Sequence, residues 1–253
     1  MKQIPLSVVI LAQNDSPQLH AAIQSVAFAN EVIVVDTSEN KTVRLPKLSR
    51  ATLRFLPKIT DFSATRNQTF TYTQNEWVFF LDSDECCIVP DSDVFLTLFQ
   101  KNIAAYKIKR EDYFLGKKIR YGETAQSWPT RLLHKNHCVF TGSVHEVVVC
   151  DENIVNIDPQ IIRLTHYSHS SISSFFSKIY WYSNLEALQR NSSFGSVLFQ
   201  MIFFPPAKWL NNFVFKRGFL DGYRGLVYST LMSYHSFFVR LFQLEKFILR
   251  KST

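Results

Sequence analysis

The sequence lacks any apolar run of the roughly 18 residues needed to span a bilayer. Its longest candidates, around residues 196–204 and 236–249, are short or broken by Arg240, Gln243, Glu245 and Lys246. No signal peptide is expected either: Met1–Pro5 leads directly into the strand-length apolar run Leu6–Ala12, with no small-residue cleavage site behind it. None of the four cysteines, Cys86, Cys87, Cys138 and Cys150, stands in a CxxC pair. They read as reduced thiols of a cytosolic protein, since adjacent Cys86 and Cys87 make a strained disulfide. No Gly-rich phosphate loop followed by Lys closes the first strand, which argues against a nucleotidyltransferase. No zinc finger, helix-turn-helix or RRM signature accompanies the basic charge, so nucleic acid is not the expected partner. Internal repeats and low-complexity tracts are absent.

The 253 residues suffice for one sizeable α/β domain with a C-terminal appendage, and 46% hydrophobic against 19% charged residues is a globular balance. Charge is unevenly spread. From Met201 onward eight basic residues (Lys208, Lys216, Arg217, Arg224, Arg240, Lys246, Arg250 and Lys251) face only Asp221 and Glu245, so +6 of the net +7 sits there. Phe, Trp and Tyr are interleaved with these cations. Such a segment suits an anionic membrane surface; a solvated basic face is the alternative.

The first hundred residues alternate strand and helix. Strand Leu6–Ala12 is followed by a helix capped by Ser16-Pro17, with Leu19, Ile23, Val26 and Ala27 as its buried stripe. Strand Glu31–Val35 ends at Asp36, a short strand is predicted at Thr52–Leu56, and a helix from about Ser63 to Tyr72. A fourth strand, Trp77–Leu81, ends in Asp82-Ser83-Asp84-Glu85. Continuous β-branched runs imply strands covered on both faces, and thus a doubly wound α/β sheet with ligands at the carboxyl ends of its strands. A helix near 93–101, a strand over Ala105–Arg110 and a hairpin turn at Gly116-Lys117 come next. Short antiparallel strands to Leu164 and a helical segment from Ser171, broken at Pro205-Pro206, complete the expectation. The division predicted is a catalytic domain over 1–170, split at 112/113 into nucleotide-binding and acceptor-side parts, and a helical extension over 171–253.

Asp82-Ser83-Asp84 carries the chemistry. Two carboxylates at i and i+2, leaving a buried strand, suit a hard divalent cation, Mn²⁺ or Mg²⁺, together with a donor's phosphates. A second D-x-D, Asp91-Ser92-Asp93, follows no such strand and is assigned to helix capping. Asp36, Asn14 and Asp15 end neighbouring strands at the same edge, where they suit a nucleobase and ribose, although turn chemistry explains Asn14 and Asp15 as well. Arg66 opens a helix and suits a phosphate or an ordinary surface pair. Trp128 and Arg131 are candidates for a sugar pocket or for packing.

Taken in order, Ser7–Ala12, Val34-Val35-Asp36-Thr37-Ser38, Ala64-Thr65-Arg66-Asn67 and Trp77–Glu85 resemble the donor half of glycosyltransferase family 2. Arg131-Leu132-Leu133, Val144-His145-Glu146, His166-Tyr167-Ser168 and Gly218–Gly222 resemble the subgroup of lipopolysaccharide core β-glucosyltransferases. The resemblance implies a GT-A fold, a nucleoside-diphosphate sugar donor (UDP-glucose favoured), a divalent metal and an inverting mechanism. It implies Glu146 as general base with His145 beside it, His166 joining Asp82 and Asp84 on the metal, and Asn14, Asp15, Asp36, Arg66, Asp82, Asp84 and Arg131 around the donor. It also implies a lipid-linked or cell-envelope glycan acceptor at the inner face of the cytoplasmic membrane. The chain departs from the family in having Asn14-Asp15 for Asn-Glu, and Ser38–Lys41 where the family has Gly-Ser-Thr-Asp. A strand followed by D-x-D also occurs in haloacid-dehalogenase-like phosphotransferases, but there on the first strand. A non-catalytic membrane adaptor is the other alternative.

Overall fold

The computed structural model describes residues 3–47, 49–89, 91–99, 102–123, 127–142, 146–169 and 171–251. They form two compact units, Met1–Arg110 with Ser127–Tyr167, and Glu111–Gln126 with Ser168–Thr253.

In the first unit, β1 (Ile4–Ala12), β2 (Ala29–Asp36), β3 (Thr52–Phe55) and β4 (Trp77–Asp82) run parallel. With β6 (Ile103–Lys107), β9 (Thr130–His134) and β12 (Asn153–Asn156) they build one mixed sheet in the order β12-β6-β9-β4-β1-β2-β3. Strand β9 is antiparallel to both neighbours, whereas β12 pairs parallel with β6, which the expectation of a purely antiparallel second half missed. Successive residues alternate between two apolar layers: Val8, Ile10, Val34, Phe79 and Leu81 face one, Val9, Ile33, Val35, Val78 and Phe80 the other. The continuous β-branched runs are thus those of a sheet buried on both faces.

Helix α1 (Pro17–Ser25) starts as expected, the Ser16 hydroxyl accepting from the Leu19 amide. It stops at Ser25, so Val26 is a C-cap and Ala27 is exposed; Ala22 takes its place in the stripe. Helix α2 (Phe62–Thr69) is capped by Asp61 and tightens into a 3₁₀ turn, Phe70–Tyr72. After β4 the chain forms β5 (Glu85–Ile88), too short to signal itself in the sequence, and then α3 (Ser92–Leu96). Asp91 caps α3 through the Asp93 amide, so the second D-x-D is a helix start. The region of β6 continues after Ile108 as β7 (Lys109–Phe114).

Hairpin β10 (Cys138–Thr141) with β11 (Val147–Cys150) corrects the reading of four reduced thiols, because Cys138 and Cys150 are disulfide-bonded. Antiparallel register sets them directly opposite, with Cα atoms 4.2 Å apart. That register is what the spacing of 12 does not announce. Cys86 and Cys87 remain thiols, and burial pushes Cys87 well above the ordinary thiol value.

In the second unit, β7 turns into β8 (Lys117–Lys118) through Leu115-Gly116, both at positive φ, so Gly116 ends the turn instead of starting it. Helices α4 (Ile172–Gln189), α5 (Phe194–Leu210) and α6 (Tyr223–Lys251) follow. The break expected at Pro205-Pro206 does not occur, as both lie inside α5. Two intrahelical donors are lost there, but contacts along α6 hold the helix: Ser233 donates to the Pro205 carbonyl at 2.7 Å and Trp209 to Thr230 at 3.2 Å. A π-helical turn (Asn211–Phe215) and a 3₁₀ turn (Gly218–Asp221) lead to α6, and Asp221 accepts from the Arg120 and Tyr121 amides. A Cβ on Gly225 would sit 1.8 Å from the Gly218 carbonyl oxygen. Backbone cannot rotate away, so Gly225→Ala is expected to cost at least about 1–3 kcal/mol of stability in urea unfolding. Among the described residues no helix is long and apolar enough to cross a membrane.

Candidate active site

The site grows from the carboxyl end of β4. Register places Asp82 beside Leu11 of β1, and Asp36 of β2 beside Ala12. Asp82 and Asp36 therefore flank β1 at one edge, two strand spacings or about 10 Å apart. Asp82 leaves the sheet partly exposed and meets two buried guanidiniums. Arg66 Nη2, from α2, lies 3.0 Å from its Oδ1, and Arg131 Nη2, from β9, donates to its Oδ2.

Glu85, the first residue of β5, is fully buried beneath them. Its Oε1 accepts from Arg131 at 2.9 Å, its Oε2 accepts from the Asp82 amide at 3.3 Å, and Arg110 Nη1 lies 3.6 Å from Oε1. Neither Glu85 nor Arg110 stands out as a site residue in the sequence. Glu85 reads there as one more acid in a polar turn, and only the strand that follows it shows that its side chain must point inward.

Arg66 also reaches Glu146, its Nε 2.8 Å from Oε1, and its guanidinium lies over the rings of Phe80 and Phe140. Apolar walls on both sides and carboxylates at both ends fix this side chain. Helix α2 is itself pinned to β10: Asn67 donates to the Phe140 carbonyl at 2.8 Å and accepts from the Phe140 amide at 2.9 Å. The Ala64–Asn67 motif thus splits into one residue that builds the site and one that anchors the helix.

Asp84 and His166 form the other side, His166 Nε2 lying 3.5 Å from Asp84 Oδ1. Antiparallel pairing of β13 (Arg163–His169) with β5 sets His166 opposite Glu85, and the Tyr167 amide donates to the Asp84 carbonyl. The three side chains expected on a metal are therefore not gathered as one ready-made set. Among the described residues no three His, Cys, Asp or Glu groups converge as a metal site. Asp82 is held by arginines, while Asp84 and His166 face each other. The Asp84 carboxylate nevertheless fits a divalent ion that takes most of its ligands from a diphosphate and water, the usual habit of Mg²⁺, and the imidazole beside it would suit a softer ion such as Mn²⁺.

The other expected residues are placed differently. Asp36 is buried, and its two oxygens accept from the Ser38 and Val43 amides at 2.8 and 3.1 Å, so it shapes the loop after β2. Asn14 is exposed, and exposed Asp15 pairs with His20 at 2.8 Å. Trp128 is half-buried under the Lys109 ammonium. His145 lies outside the described residues.

Burial pushes the Asp82 carboxyl up, but Arg131 and Arg66 outweigh that and hold it at about 2, below its ordinary 3.8. Arg131 is raised in turn: burial lowers it, and Asp82 with Glu85 more than reverses that. A carboxyl depressed by folding contributes stability above its unfolded value and loses it as pH falls through the folded one. Asp82 is therefore expected to stay ionised through mild acid, its contribution fading between about pH 4 and pH 2. A carboxyl NMR titration with a midpoint near 4 would contradict the arginine clamp.

Residues 7–151 match the sequence pattern described as glycosyl transferase family 2, more than half of the chain. The chain belongs to glycosyl transferase family 2. As a member of that family it is a glycosyltransferase. It is similar to an "uncharacterized glycosyltransferase" of Rickettsia prowazekii (strain Madrid E), 27% identical over 266 residues that cover 99% of this chain and 89% of the relative. A second such protein, of Rickettsia bellii (strain RML369-C), is 26% identical over 97% of this chain and 87% of its own length. Among solved structures it is similar to a mannosyltransferase of Pyrobaculum calidifontis in complex with GDP-Man and Mn²⁺, with a TM-score of 0.50 and 10% identity. That match covers 96% of this chain and 88% of the other, and it bears on the mixed α/β sheet fold. The acidic cluster built from Asp82, Asp84 and Glu85 lies within the family match.

Proposed function

We propose that this glycosyltransferase moves a hexose, glucose favoured, from a UDP-sugar to a lipid-linked or cell-envelope glycan acceptor with inversion. The observation that carries the reading is the cluster at the end of β4. Four carboxylates (Asp82, Asp84, Glu85, Glu146) meet three guanidiniums (Arg66, Arg110, Arg131). This leaves the cluster one negative charge with His166 neutral, a balance that attracts a divalent cation and does not bind a diphosphate unaided.

Asp84 and His166 are the residues to hold Mn²⁺ or Mg²⁺, which when bound supplies charge neutralisation for a departing diphosphate. The chain's own residues do the rest. Arg66 and Arg131 keep Asp82 ionised and fixed as an acceptor for a donor hydroxyl. Glu146 is the general base: Arg66 holds its Oε1, and its Oε2 is buried with no hydrogen-bond partner. That oxygen takes the proton of the acceptor hydroxyl as the hydroxyl attacks the anomeric carbon and the bond to the diphosphate breaks. A nucleotide-sugar complex of a protein with the same fold supports the donor class.

The basic, aromatic C-terminal segment supports a peripheral place on the inner face of the cytoplasmic membrane. Phe215, 77% exposed, precedes Lys216 and Arg217, and Ile202 and Phe203 on α5 are exposed as well. Flotation with anionic liposomes is expected to retain the protein and to lose a Phe215→Ser, Lys216→Glu, Arg217→Glu variant. A panel of nucleotide sugars in thermal denaturation, with and without Mn²⁺, tests the main reading. UDP-glucose with Mn²⁺ should give the largest rise, abolished by Asp84→Asn. A panel with no response from any donor, or cleavage of a generic phosphoester instead, would move the protein toward the adaptor or phosphotransferase readings.

A further inference from the structure

The helical unit contains a cavity of about 290 Å³, lined by the end of α4, the start of α5 and the last turns of α6. Gln243 of α6 forms part of its wall, is 3% exposed, and has its Oε1 buried with no hydrogen-bond partner. A buried amide oxygen left this way is destabilising, and the sequence could avoid it with Leu or Met. Its presence beside a cavity implies a polar occupant.

The other groups give that occupant its sign. Lys246 lines the cavity and donates to the Ala187 carbonyl at 2.5 Å, which brings its ammonium to the end of α4. Arg190, also on the wall, is oriented by Glu186, with Nε and Nη2 at 2.8 and 2.5 Å from Oε1. Helix α5 begins here. Its N-cap, Ser193, makes no side-chain capping bond, and Gly195 and Ser196 lie in the first turn, where amides have no intrahelical acceptor. The positive end of a 17-residue helix thus opens onto a space bordered by two cations and an unspent hydroxyl. Gln243 can turn its amide to present N–H or C=O, and so can donate to an ionised oxygen or accept from a protonated one.

We propose that this cavity binds a phosphate group, carried either by a soluble ion or by a lipid headgroup. Exposed Leu188 on its wall suits an acyl chain but does not choose between the two sources. The site is built wholly from residues of the helical unit and does not depend on the reading of sugar transfer.

The test uses the full chain. Inorganic phosphate is titrated calorimetrically at constant ionic strength, and flotation compares phosphatidylcholine vesicles with and without phosphatidic acid. Gln243→Glu puts a carboxylate where the phosphate sits and should weaken binding about tenfold or more. Gln243→Met removes the orphaned oxygen, so it should fold with undiminished thermal stability and still lose the phosphate response. Saturable binding of inorganic phosphate that depends on Gln243 assigns the site to a soluble ion. Gln243-dependent flotation on phosphatidic acid, without a response to inorganic phosphate, assigns it to a headgroup. No response in either arm by the wild type, or equal responses from wild type and both variants, overturns the proposal and leaves a cavity filled by water.

Discussion

Glu146→Gln is expected to leave the fold and donor binding in place while lowering turnover about 10²–10⁴-fold, the usual contribution of a general base. Glutamine keeps the volume and places a neutral amide beside Arg66 Nε, which lies 2.8 Å from Oε1 in an ion pair. Arg66 in turn keeps its contact with Asp82, so the donor side is undisturbed. What disappears is the capacity of Oε2, now buried without a partner, to take a proton. The loss should therefore fall on kcat with little change in the KM for the nucleotide sugar. The check is steady-state transfer with an identified donor, alongside thermal denaturation with and without it. Turnover near the wild-type rate would assign the base elsewhere. A proportional loss of donor affinity would mean that Glu146 serves chiefly to position Arg66.

How far the sequence discloses this site depends on what each residue needs to be seen. Asp82 and Asp84 are legible because a buried parallel strand is a continuous apolar run, and the first acids after it must lie at the ligand edge. The same logic finds Asp36 but not its use, since its hydrogen bonds go to the amides of its own loop. Arg66 is visible only as a basic residue at a helix start. Its burial between Phe80 and Phe140 arises from contacts 14 and 74 residues away along the chain. Cys138 and Cys150 pair because β10 and β11 share a register, and register is a property of two strands, which no spacing rule supplies. Proline fails as a punctuation mark in α5 for a related reason: side chains of α6 fasten the segment around it, Ser233 to the Pro205 carbonyl and Thr230 to the Trp209 indole. Local signals set the elements and their ends. The arrangement that makes Asp82 a clamped anion, and Glu85 a buried one, is tertiary.

That buried anion sets the largest stability effect expected in the catalytic unit. Glu85 and Arg131 are both shielded from solvent, and Arg131 is the shared partner of Glu85 and Asp82. Arg131→Leu leaves Glu85 buried with Arg110 as its remaining cation, at 3.6 Å. Removing one member of a buried pair typically costs about 3–5 kcal/mol, because the other charge stays desolvated. The reciprocal change, Glu85→Leu, strands Arg131 less severely, since Asp82 still holds it, but it also frees the Asp82 amide. Combining the two substitutions removes both desolvated charges and should recover part of the loss, so the double variant is expected to be more stable than the sum of the singles predicts. Arg131→Lys separates charge from shape. An ammonium keeps the sign but not the planar fork that spans two carboxylates, so it should restore part of the stability and little of the transfer. Urea unfolding of the four variants, with transfer measured on each that folds, distinguishes these outcomes. Strict additivity between positions 85 and 131 would show that the pair makes no coupled contribution, and full transfer by Arg131→Lys would show that a positive charge alone is what Asp82 requires.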